Sequence, residues 1–153
     1  MGDNLTENIY SWHKLSNLLF LESPAGVGYS INTDKNYTHN DVSTAYDNRN
    51  AIIDFFSKFT EYRNNFFFIA GESYAGKYIP DLAVLIDGYN SIGEGAKINL
   101  KGIIVGNGVM DHRTITYNTY SYMIDRKFVD PEIVPIFQSS CKTDPHSAGC
   151  RFF

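Results

Sequence analysis

After the apolar run Phe66-Phe67-Phe68-Ile69-Ala70 and before a stretch with helical spacing, the chain carries Gly71-Glu72-Ser73-Tyr74-Ala75-Gly76. A serine at the tip of a strand–turn–helix is what a nucleophile elbow requires. The tight turn lifts the hydroxyl clear of the sheet, where a base and a substrate can both reach it. The N-terminus of the following helix offers unpaired backbone N–H groups, which can stabilise a tetrahedral oxyanion. Small residues must flank the turn, because strand and helix backbones come close there. The strict Gly-x-Ser-x-Gly pattern is not met, since Ala75 stands in the second glycine position; alanine is still small enough for an elbow. The same residues would also suit a plain glycine-rich turn with a capping serine, and Glu72 alone would suit a helix start, where the dipole favours a carboxylate. The short pattern leaves these readings open.

The flanking elements follow from periodicity. Residues 17–21, Asn-Leu-Leu-Phe-Leu, are a short apolar run closed by Ser23-Pro24-Ala25-Gly26 and read as a buried strand. Residues 30–40 are polar and predict a loop. Val42, Ala45, Tyr46, Ile52, Ile53, Phe56 and Phe59 recur at three- and four-residue spacing, the stripe of a helix. Thr38 and Asp41 resemble a capping box at its start. Residues 66–70 predict a second buried strand, and residues 74 to about 89 a helix kinked or restarted at Pro80. Gly88, Asn90, Gly93 and Gly95 predict a loop; Ile103-Ile104-Val105, closed by Gly106-Asn107-Gly108, predicts a third strand. Apolar strands alternating with helices imply a parallel α/β sheet covered on both faces. Past Asp111 the pattern turns more polar and rich in tyrosine, and predicts two short helices, near 114–127 and 131–138, as an appended region.

The 153 residues suffice for one domain and one core, with 43% hydrophobic and 20% charged residues. A formal net charge of −4 does not favour nucleic acid or an acidic membrane surface. No apolar run is long enough for a membrane-spanning helix, and the first fourteen residues lack the apolar stretch of a signal peptide. Asn4 and Asn36 begin glycosylation sequons, Asn4-Leu5-Thr6 and Asn36-Tyr37-Thr38. Cys141 and Cys150 are too few to fix a redox compartment by count.

Several long motifs occur in register. Ile69-Ala70-Gly71-Glu72-Ser73-Tyr74-Ala75-Gly76 resembles the nucleophile signature of serine carboxypeptidases. Leu19-Phe20-Leu21-Glu22-Ser23-Pro24-Ala25-Gly26-Val27-Gly28-Tyr29-Ser30 resembles that family's second characteristic segment. Lys77-Tyr78-Ile79-Pro80, Gly102-Ile103 and Val105-Gly106-Asn107-Gly108 follow in the family's order, so the resemblance runs from about residue 10 to about residue 125. It implies a partial α/β-hydrolase fold: central parallel strands with flanking helices, in one partial domain over 1–153, with the start of a helical cap from about 112.

The resemblance also implies roles. Ser73 would attack the last peptide bond of a peptide with a free C-terminal carboxylate, forming an acyl-enzyme without metal or organic cofactor. The backbone N–H of Tyr74 would be one oxyanion donor. Glu72 would bind the substrate carboxylate; it would repel that group if ionised and donate a hydrogen bond if protonated, and partial burial favours the neutral form. The segment from Glu22 to Tyr29 would wall the site. The family's second oxyanion donor and a carboxylate-binding Asn would precede residue 1, and its catalytic Asp and His would follow the nucleophile in that order. Neither His112, in a turn after the third strand, nor His146, between the cysteines, fits the base; His13 and His39 read as surface residues. The chain alone is therefore expected to be incomplete and inactive, a piece of a carboxypeptidase. The alternatives are an acyltransferase on the same scaffold or a non-catalytic truncated remnant. Cys141 and Cys150 are expected in disulfides, with each other or with cysteines beyond this chain, on a secretory route to lysosome, vacuole or cell exterior. Oligomeric state is left open.

Overall fold

The computed structural model describes residues 4–34, 36–93 and 95–141. The first regular element is a single 3-10 turn, Trp12–Lys14. Helix α1 follows at Asp41–Lys58. Its cap is Asn40, whose side chain accepts from the Ser43 N–H while the Ser43 hydroxyl accepts from the Asn40 N–H, both at 2.9 Å. The expected box of Thr38 and Asp41 is thus displaced by two residues. Asn40 is the last extended residue, and only its short amide reaches the third helical N–H. The inward stripe is Ala45, Asn48, Ile52 and Phe56, with Thr44 beside it; Val42, Tyr46 and Phe59, expected on that stripe, are exposed.

Strand β1, Phe67–Glu72, and strand β2, Leu100–Gly106, pair in parallel, with Ile69 opposite Ile103 and Gly71 opposite Val105. Helix α2, Ala75–Ile92, makes the crossover between them. It runs through Pro80 without restarting and ends at Gly93, whose φ of +73° suits a residue without a Cβ. Gly88 and Asn90, expected in a loop, are helical. Asn90 instead closes the loop behind it, donating to the Ile98 carbonyl at 2.9 Å and accepting from the Ile98 N–H at 2.8 Å.

The core against the sheet is Ile52 and Phe56 of α1, Leu82 and Ile86 of α2, and Ile98, packed on Phe67, Ile69 and Leu100. The Phe56 and Phe67 rings meet edge to face at 5.4 Å. Both helices of this cluster lie on the same side of the sheet. On the other side Phe68 and Ile104 are 50% and 48% exposed, so the expected cover of both faces is found on one only among the described residues.

Residues 17–21 form no strand, contrary to expectation. A strand is made by a neighbour's backbone, and among the described residues β1 and β2 pair only with each other, in a two-stranded sheet. Alternate residues Leu19 and Leu21 instead lie over α1, where with Ala51, Ile52, Phe55 and Phe59 they line a shallow cavity of about 240 Å3; Phe20 between them is 84% exposed. Helices α3, His112–Asp125, and α4, Ile133–Cys141, agree with the two helices expected there. Phe137 of α4 is buried against Tyr120 and Ile124 of α3, and among the described elements these two helices pack only on each other. No helix among the described residues is long and apolar enough to cross a membrane.

Candidate active site

Strand β1 delivers the chain to Ser73, and α2 begins two residues later. Ser73 has φ of +60°, a left-handed conformation that costs a residue with a Cβ about 1–2 kcal/mol. Two backbone hydrogen bonds from the β2 side hold it there. The Ser73 N–H donates to the Gly106 carbonyl at 3.0 Å, and the Val109 N–H donates to the Ser73 carbonyl at 2.8 Å. The Gly76 N–H shares that carbonyl at 3.0 Å, which starts the first helical turn. Asn107, between the two clamping residues, is itself left-handed at φ +45°.

The spacing of small residues follows from contact. A Cβ on Gly71 would lie 2.6 Å from the Cβ of Ala75, so position 75 can carry a methyl group because position 71 carries none. The approach to another segment's backbone falls at Gly76. A Cβ on Gly76 would lie 2.6 Å from the Val109 backbone nitrogen and 2.9 Å from the Gly108 carbonyl carbon. Sequence reasoning looked for the second glycine at position 75; the buried one is Gly76, and the signal was the glycine already present there.

Ser73 is exposed, and among the described residues no side chain hydrogen-bonds to its hydroxyl. The backbone N–H of Tyr74 likewise has no acceptor among them. Glu72, last in β1, stands beside Gly106 and is exposed, so the described residues do not supply the partial burial expected of it. The segment 22–30 folds on its own carboxylate: Glu22 accepts from the Tyr29 N–H, and its carbonyl accepts from the Ser30 hydroxyl at 2.7 Å. A Cβ on Gly28, at φ +56°, would lie 2.6 Å from that carboxylate.

One contact at the elbow was not read from the sequence. The Tyr74 hydroxyl donates to both carboxylate oxygens of Asp41, at 3.1 and 3.3 Å, across 33 residues. The Tyr74 ring meets Tyr78 edge-on at 5.1 Å. The hydrogen bond to Asp41, and then that carboxylate's charge, raise the Tyr74 phenol above its ordinary pKa. Nearby, Tyr37 donates to Asp47 at 2.5 Å, with the same effect on its phenol.

Of the remaining candidates, Asn4, Asn36, His13 and His39 are exposed. Cys150 and His146 lie outside the described residues, as do the side chains of Cys141 and His112, so the expected disulfides fall outside them too.

Residues 1–151 match the family described as serine carboxypeptidase. Serine carboxypeptidase 24 of Arabidopsis thaliana is 48% identical over 123 residues, 79% of this chain and 26% of that protein. The lysosomal protective protein of Mus musculus is 46% identical over 111 residues, 72% of this chain and 22% of that one. A solved structure, a prohormone-processing carboxypeptidase from Saccharomyces cerevisiae, has a TM-score of 0.74 over 92% of this chain and 35% of its own, at 24% identity, which is a likeness of fold. The chain thus spans about a quarter of the length of these two curated relatives. By the match over residues 1–151 the chain belongs to the serine carboxypeptidase family, and its parallel sheet and flanking helices, which superpose on the solved carboxypeptidase, carry part of an α/β-hydrolase fold.

Proposed function

We propose that this chain supplies the nucleophile of a serine carboxypeptidase, Ser73, acting on peptides with a free C-terminal carboxylate. The observation that carries this is the left-handed backbone of Ser73 between β1 and α2. It presents an exposed hydroxyl beside an N–H, that of Tyr74, with no acceptor among the described residues.

In this reading the Ser73 Oγ bonds to the carbonyl carbon of the last peptide bond and gives its proton to a general base. The oxyanion accepts a hydrogen bond from the Tyr74 N–H. The C–N bond then breaks, the leaving amine takes the proton, and water hydrolyses the acyl-enzyme. Glu72 faces the substrate carboxylate from the end of β1. A serine needs a base to react, and this reading assigns that role to none of His13, His39, His112 and His146. Helices α3 and α4, which among the described residues pack on each other and not on the sheet, are assigned to the start of a cap over the site. The two exposed sequons and the relative named as a lysosomal protective protein support a secretory destination.

The test is a fluorophosphonate probe on the full-length protein. Ser73 should carry the label, and Ser73→Ala should abolish it. Undiminished labelling of that variant would mean that another serine is the nucleophile.

A further inference from the structure

We infer that Asp41, the first residue of α1, is a positioning residue of the elbow that acts through the Tyr74 hydroxyl. This rests on the reading of Ser73 as nucleophile and of the Tyr74 N–H as oxyanion donor.

The elbow is anchored from three sides. On the β2 side two backbone hydrogen bonds hold Ser73, from Val109 and to Gly106, and within α2 the Gly76 and Lys77 N–H groups donate to the Ser73 and Tyr74 carbonyls at 3.0 and 2.9 Å. The Tyr74 N–H lies in the planar peptide unit that runs from the Ser73 Cα to the Tyr74 Cα. Its direction follows the tilt of that plane, which a shift of the Tyr74 Cα changes. The third anchor, on the α1 side, restrains that shift. The phenol at the end of the Tyr74 side chain is held by both oxygens of Asp41, and the ring is braced edge-on by Tyr78 at 5.1 Å.

Asp41 can serve as an anchor because its own position is over-determined. It follows Asn40, which is locked into the reciprocal cap with Ser43, and α1 packs along α2 through the core. A carboxylate in a first helical turn is favoured by the helix dipole in any case. That role needs no partner 33 residues away and no contact with both oxygens, so the dipole alone does not account for the geometry.

The experiment uses the full-length protein and two readouts that report the oxyanion site. One is the rate constant for fluorophosphonate labelling of Ser73, because the phosphonyl oxygen occupies the place of the oxyanion. The other is kcat and KM on a blocked dipeptide. Asp41→Ala and Tyr74→Phe should each lower the labelling rate and kcat by about tenfold with KM little changed, as expected for a misaligned donor. The double variant should be no slower than either single one, because both remove the same tie. Asp41→Asn, whose amide oxygen still accepts from the phenol, should recover most of the rate; a loss of helix stability alone would not give that recovery. If Asp41→Ala does not fold, Tyr74→Phe, which removes one oxygen atom from a residue 44% exposed, carries the test with Asp41→Asn. Labelling abolished by Ser73→Ala but indifferent to Tyr74→Phe overturns this inference and leaves the reading of Ser73 standing. Multiplicative losses in the double variant overturn it too. Labelling that survives Ser73→Ala refutes both.

Discussion

The carbonyl oxygen of Ser73 accepts a 2.8 Å hydrogen bond from the backbone N–H of Val109, so the apex of one turn is held by the turn that leaves the neighbouring strand. For the bond to form, α2 must lie against residues 108–109 with no side chain between them, and Gly76 is the residue at that contact. The shape of the elbow is therefore a property of two strands and two turns together.

Gly76→Ala should cost about 2 kcal/mol, as overpacking against backbone that cannot move aside. Ala75→Gly should cost less than about 1 kcal/mol, the ordinary propensity penalty at a helix start. Urea denaturation of both variants checks this. Equal midpoints for the two would contradict the close approach at Gly76.

Ser73 carries its left-handed φ with a Cβ in place. Ser73→Gly should therefore be more stable than Ser73→Ala by about 1 kcal/mol, since glycine adopts this region without steric cost. Both should lose probe labelling. Thermal melts of the pair decide it, and a less stable glycine variant would show that the turn is not strained.

Asn40→Ala should destabilise the protein by about 1 kcal/mol through loss of the cap. Thr38→Ala should change stability by less than about 0.5 kcal/mol, as an exposed position outside the box. The reverse order would return the cap to the residues expected from the sequence.

The raised pKa of the Tyr74 phenol gives a direction for pH. A group whose folded pKa lies above its unfolded value contributes stability that is complete below the unfolded value, here about 10. That contribution is lost as pH rises through the folded value. The phenol thus adds no pH dependence between 4 and 8. In an NMR titration with ring-labelled tyrosine, Tyr74 should titrate above the ordinary range, and Asp41→Ala, which removes both the hydrogen bond and the charge, should bring it back down. A Tyr74 resonance that does not respond to Asp41→Ala would show that the contact is not made in solution.

The open sheet face should bind a hydrophobic dye. Phe68→Thr and Ile104→Thr should each lower dye binding, with stability changing by less than about 0.5 kcal/mol for solvent-facing positions. Ile86→Ala, at a side chain with no exposed surface, should cost about 3 kcal/mol. Dye binding unchanged in both threonine variants would place the exposed apolar surface elsewhere.

Elements with strong local signals were legible in the sequence. The run at 66–70 overlaps β1 from its second residue on and the run at 103–105 falls within β2, and the motif between them is a strand–turn–helix with serine at its apex. Local signals failed where a partner decides the outcome. Leu18 to Leu21 have the composition of a buried strand, but no described strand lies beside them to take their backbone hydrogen bonds. Gly88 and Asn90 look like loop residues, yet their helix is held from outside by the Asn90 contact with Ile98. Val42 and Tyr46 keep helical spacing but face solvent, because α1 turns its Ala45–Asn48–Ile52–Phe56 side to α2.

By itself the sequence determined the order and type of the central elements, the serine and the turn that displays it, and through several motifs in register the family. These depend on residues within a few positions of one another, whose φ/ψ preferences and apolar spacing act locally. Only the tertiary structure decided what holds that serine and its neighbour. The hydrogen bonds of Ser73 to Gly106 and Val109, the contact of Gly76 with residues 108–109 and the tie from Tyr74 to Asp41 each join segments some 30 residues apart. No local preference specifies such a pairing; it appears when α2 packs between the sheet and α1 and brings their ends to one place.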